Sequence, residues 1–156
     1  MTDFRAAFQA GQEAAIQAEL ARKDIDNVFS EICAQLAEVT DGKVEISRQE
    51  YEKKNPNPFV AAIIFGSKEM YSAIAARNPK AMDNKFRQIA LWEQGRSGYP
   101  CKISWGGTDH TCHDRQSLEE CLASLLGDAV VGEKLRGVMM LPPPQEADES
   151  TTAGPA

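Results

Sequence analysis

The sequence predicts an α+β domain: a long N-terminal helix, an antiparallel β-sheet of about four to six strands, two C-terminal helices and a disordered C-terminal tail. Three observations carry this. A heptad-spaced apolar stripe runs through residues 2–39 without a proline. Between 43 and 113, short β-rich segments follow one another through turns too brief to hold crossover helices, so the strands are expected to pair antiparallel. After 117, leucines return at helical spacing and stop before Pro142-Pro143-Pro144.

In the first element, Phe4, Gly11, Ala18, Ile25, Ile32 and Val39 recur every seven residues. Ala7, Ala14, Ala21 and Val28 form one flanking row, and Phe8, Ala15, Phe29 and Leu36 the other. The pattern reads as one helix or as two with a break near Asp24 to Asp26. Its second half carries the large side chains of a core-packed helix. Its first half offers alanine and glycine between two phenylalanines, and two readings follow. Either this half folds back onto its own sheet, or it is an interaction arm. In the second reading Phe4 and Phe8 anchor a partner, while Gly11, Ala14 and Ala18 let a partner helix come close. An acidic face of Glu13, Glu19, Asp24, Asp26 and Glu31 would then favour a basic partner or steer its approach.

Thr40-Asp41-Gly42 supplies a helix stop. Lys43 to Tyr51 alternates, with Val44 and Ile46 opposed to Lys43, Glu45 and Ser47, as in a half-buried strand. Asn55-Pro56-Asn57-Pro58 breaks the chain, and Phe59 to Gly66 reads as a central strand. Residues 70–77, MYSAIAAR, suit strand or helix; Asn78-Pro79 directly after them favours strand. Phe86 to Glu93 is a further strand, led out by Gly95-Arg96-Ser97-Gly98.

Residues 101–114, CKISWGGTDHTCHD, hold two of the four cysteines and both histidines. Gly106-Gly107 signals a hairpin. A two-residue loop pairs Cys101 with Cys112, and a four-residue loop pairs Ile103 with Cys112. Both registers set Cys101, Ile103, Trp105, His110 and Cys112 on one face and His113 on the other. Cys101, His110 and Cys112 are therefore three candidate metal ligands, with Asp114 as a fourth, or a Cys–His nucleophilic pair. Against both stands the ordinary reading, in which small thiols and an amphipathic imidazole fill an apolar face beside Trp105. That ordinary reading assigns no metal.

Ser117-x-x-Glu120 resembles a capping box ahead of Leu118, Cys121, Leu122, Leu125 and Leu126. Gly127 ends that helix, and Asp128 caps another carrying Val131, Leu135 and Val138. Residues 1–140 are thus expected to form one domain. Residues 141–156, acidic and bounded by prolines, form the tail.

Charge and motif content narrow the function classes. The net charge of −6 is uneven: −5 over residues 1–41, +2 over 42–140 and −3 over 141–156. General nucleic-acid affinity is disfavoured. The basic cluster Arg77, Lys80, Lys85 and Arg87 reads as a solvated loop or, in an accessory nucleic-acid binder, as a phosphate-contacting edge. No apolar run nears the roughly 20 residues that span a bilayer, and the N-terminus lacks the apolar core of a signal peptide. Scattered cysteines fit a reducing cytoplasm. Phosphate-binding and hydrolase motifs are absent. The expectation is a non-catalytic cytoplasmic protein-binding or regulatory module, of the adaptor, chaperone, inhibitor or immunity type. It needs no cofactor and binds another protein or a second copy of itself through the helix or the sheet. The rival is a small metal- or thiol-dependent enzyme centred on the 101–114 hairpin.

Overall fold

Asp3 starts the first helix. Its side chain accepts hydrogen bonds from the Arg5 and Ala6 amides, and α1 then runs unbroken over Phe4–Thr40. The computed structural model describes residues 1–53, 59 and 69–145. The break considered near Asp24 to Asp26 does not occur. These acids flank the core-facing stripe and hold the helix to the body: Asp24 accepts from the Tyr99 hydroxyl at 3.0 Å and Arg115 at 3.1 Å, and Asp26 from Arg48 at 2.6 Å. At the far end Asp41 adopts a left-handed conformation and the Gly42 amide bonds back to the Ala37 carbonyl at 2.8 Å, closing the helix.

Five strands follow: β1 (Glu45–Glu52), β2 (Met70–Arg77), β3 (Arg87–Gly95), β4 (Gly98–Trp105) and β5 (Thr108–Cys112). They form one antiparallel sheet in the order β1-β2-β3-β4-β5. Residues 70–77 are a strand, with Ala73, Ile74, Ala75 and Ala76 all buried. Of the central strand expected at 59–66 only Phe59 is described, and it is helical and exposed rather than a buried strand residue; the rest lies outside the described residues.

Two helices close the chain, α2 (Arg115–Leu126) and α3 (Ala129–Met139). The cap of α2 is one turn earlier than the sequence suggested. Asp114, not Ser117, is the N-cap: its carboxylate accepts from the Ser117 amide at 2.8 Å, and the Ser117 hydroxyl answers the Asp114 amide at 3.1 Å. A carboxylate already placed at the strand's end outcompetes a hydroxyl three residues on. Asp128 caps α3 as expected, accepting from the Val130 and Val131 amides. Beyond α3 the chain stays tied to the body where the Met82 amide bonds to the Pro142 carbonyl at 3.0 Å. The expected tail lies, from residue 146 on, outside the described residues.

One cluster unites the core: Ile25, Val28 and Phe29 of α1, Ile46, Ile74, Trp92, Cys101 and Ile103 of the sheet, Leu118 and Leu125 of α2, and Val131 of α3. The large fully buried members (Ile25, Ile74, Ile103, Leu118, Leu125) each contribute about 1.5–3 kcal/mol. Phe29 meets Trp92 edge-on at 5.3 Å, and the Arg48 guanidinium lies over the Phe29 ring at 4.6 Å while reaching Asp26. The packing stops at Ala18. The seat is Gly98, where α1 passes so close that a Cβ would stand 2.6 Å from that of Ala21. Arg22 marks the same edge, donating to the Arg96 carbonyl in the β3–β4 turn.

Candidate functional site

N-terminal to Ala18, every residue of α1 from 4 to 17 is exposed. This is about 21 Å of helix projecting past the β3–β4 turn. An isolated helix this short is marginal in water, because nucleation is costly. Here the nucleus is supplied by the packed half, and the arm propagates from it. Among the described residues nothing folds back onto this half: the sheet edge ends before it, and no described part of the body covers residues 4–17.

Of the residues expected to bind a partner, Phe4 is 78% and Phe8 67% exposed, and Gly11 and Ala14 are exposed. Among the described residues nothing lies within 4 Å of a Cβ built on Gly11. Ala18 departs from the set: it is buried against the body and marks the arm's root. Ala7, Gly11 and Ala14 continue, along the helix, the line that Ile25, Val28 and Phe29 bury farther on. The arm is thus an extension of the core-facing stripe beyond the core. Sequence reasoning missed a second exposed pair, Ile16 and Leu20, one turn apart on the arm's far side. It was hidden because neither residue falls in the heptad rows.

The acidic face divides. Asp24 and Glu31 accept from Arg115, at 3.1 and 2.7 Å, and Asp26 from Arg48. Arg115 also holds Glu119 at 2.9 Å, and these carboxylates raise its already high pKa. These three acids are internal ties between α1, α2 and the sheet. Glu19 pairs with Lys23 at 3.8 Å beyond the arm's root, so within residues 4–17 the acidic charge is carried by Glu13. Nothing in the sequence marks Arg115 as the hub, since its partners lie up to 91 positions away.

The β4–β5 hairpin takes the two-residue loop: Cys101 pairs with Cys112, Ile103 with His110 and Trp105 with Thr108. Gly106 and Gly107 both have positive φ, the conformation of a type I′ turn. Cys101, Cys112 and His110 share a face, yet each is otherwise engaged. The Cys101 thiol donates to the Gly98 carbonyl at 3.3 Å, and Cys112 contacts Cys121. Burial pushes the Cys101 thiol up to about 11 and Cys112 up to about 12, far from a reactive thiolate at neutral pH. The His110 ring stacks flat on Trp105 at 4.0 Å, His113 is exposed on the other face, and Asp114 caps α2. Among the described residues no three His, Cys, Asp or Glu side chains are placed to share a metal ion.

Three members of the basic cluster are tied into the body. Arg77 pairs with Glu45 at 2.9 Å and covers the Phe86 ring, Lys80 donates to the Asp41 carbonyl at 2.6 Å, and Arg87 pairs with Asp83 at 3.1 Å. The sheet face turned from the core forms a shallow groove of about 1340 Å³, lined in part by Gln49, Tyr71, Leu91, Glu93 and Lys102. Lys102 lies 3.0 Å from Glu93 and 3.9 Å from Asp109. Its pKa is raised by the hydrogen bond to Glu93, the sense opposite to that of a basic catalyst. No described helix is long and apolar enough to cross a membrane. Compared with protein-family models, curated proteins and solved structures, the chain matches none.

Proposed function

We propose that this chain is a protein-binding or regulatory module whose docking element is the N-terminal arm of α1. One observation carries the reading: residues 4–17 are helical, exposed throughout, and bear Phe4 and Phe8 on the same line as the domain's buried stripe. Two exposed phenylalanines on a rigid helix are interface anchors in search of a pocket, since burying them gains more than any other contact the arm offers. The module acts without catalysis or cofactor. Support comes from the hairpin, whose thiols are protonated and buried and whose one half-buried histidine is stacked on tryptophan. Four unpaired thiols, two of them directly opposite across β4 and β5, fit a reducing cytoplasmic compartment.

A chain lacking residues 1–17 tests this. The truncation is expected to keep the thermal midpoint of the full chain, because no core contact is lost, and to lose association. A truncated protein that melts markedly earlier but keeps its oligomeric state and its partners would place the arm in the core and end this reading.

A further inference from the structure

We propose that the arm's partner is a second copy of this chain, with the two arms antiparallel and Phe4 of each seated opposite Ala14 of the other. This deepens the arm-docking reading and rests on it. The stripe is unequal along its length, with Phe4 at one end, Ala7 and Gly11 between, and Ala14 at the other. In a parallel pair Phe4 meets Phe4 while Ala14 meets Ala14, so no single helix separation suits both ends. Reversed, the layers read Phe4 on Ala14, Ala7 on Gly11, Gly11 on Ala7 and Ala14 on Phe4. Large then meets small at both ends, which makes one surface complementary to itself about a two-fold axis. Phe8, on the flank of the stripe, meets its own copy near that axis.

The free length selects this register. The body begins at Ala18, and the partner helix, starting at Phe4, stops opposite Ala14. That leaves about 6 Å before the two domains would touch. Sliding to the next heptad match would put Phe4 opposite Ala21, which already lies against Gly98. The four phenylalanines of a pair, 78% and 67% exposed in each chain, can bury at most about 600 Å² together. With the short alanine rows this stays under the roughly 1,200 Å² of stable interfaces, so the pair is a weak one that needs high concentration.

The test uses the full chain. Sedimentation equilibrium is expected to show the 17.1 kDa monomer doubling in mass as concentration rises through the micromolar range. Gly11→Leu and Ala14→Glu should each abolish the doubling without moving the thermal midpoint, since both positions lie outside the body. In a Cys33→Ser background, oxidising a mixture of Phe4→Cys and Ala14→Cys chains should give a cross-linked dimer, and oxidising either alone should give almost none. Cross-linking of each variant with itself would mean a parallel pair and overturn the register. A wild-type chain that stays monomeric at every concentration, while removal of residues 1–17 abolishes binding of a different protein, would refute self-pairing and leave the docking arm standing. Monomer throughout, with nothing lost on truncation, would sink both.

Discussion

Gly98→Ala should be among the most damaging single-methyl changes in this protein. Gly98 is buried with φ at +95°, and a Cβ there would stand 2.6 Å from the Ala21 Cβ and 3.3 Å from the backbone of Ala21 and Arg22. Carbon atoms pack at about 3.5–4.0 Å, so α1 would have to retreat by about 1 Å. The retreat would be felt along the helix by Ile25, Val28 and Phe29, whose contacts with Trp92 and Cys101 form the centre of the core. Forced overpacking costs about 1–3 kcal/mol, and the left-handed backbone about 1–2 kcal/mol more. The sum, about 2–5 kcal/mol, corresponds in a chain of this length to a midpoint lower by roughly 4–20 °C. Gly106→Ala and Gly107→Ala are the controls: both have positive φ but nothing within 4 Å, so they report backbone strain alone. Urea and thermal unfolding followed by circular dichroism and tryptophan fluorescence measure all three. Adding Ala21→Gly should return the steric part of the loss, less about 1 kcal/mol for a glycine inside a helix. If Gly98→Ala costs no more than Gly106→Ala, α1 does not seat on Gly98 and the account of the helix–sheet contact is wrong.

Asn78→Ala should destabilise by about 1–3 kcal/mol, because this buried amide donates to the Val138 carbonyl at 3.1 Å and accepts from the Lys80 amide at 3.0 Å; a neutral result in urea titration would show that α3 is not held there. Thiol titration of the native protein near pH 8 should find Cys33 first and Cys101 and Cys112 only on unfolding, given their raised pKa values of about 11 and 12. A fast thiol at Cys101 or Cys112 would revive the enzyme reading. Asp114→Ala should lower stability at neutral pH, with a gap from wild type that closes in acid. The Ser117 amide bond holds the Asp114 carboxyl below its ordinary 3.8. Its contribution is therefore complete above about pH 4 and fades as pH falls through the lower folded value. A gap between wild type and variant that persists unchanged at pH 2 would exclude the ionised cap.

The fold class was legible from periodicity alone. Heptad spacing produced α1, alternation produced β1, and the Gly106-Gly107 pair produced the hairpin with Cys101, His110 and Cys112 on one face in either register. The sequence also pointed at Phe4, Phe8, Gly11 and Ala14 as an unusual half-helix. Strand β2 was harder to read because four consecutive residues are buried, which removes the alternation that separates strand from helix. What the tertiary structure decided was where the body ends. A stripe that keeps its spacing from Phe4 to Leu36 carries no mark at Ala18; only the position of the β3–β4 turn, with Gly98 against Ala21, divides packed helix from free arm. The same holds for the acids. Asp24, Asp26 and Glu31 look like a partner-facing surface until Arg115 and Arg48 arrive from distant segments to neutralise them. Helical period is a local property that 3.6 residues per turn write directly into the chain. Contact and charge pairing are set by which remote segments the fold brings together, and no local pattern encodes that.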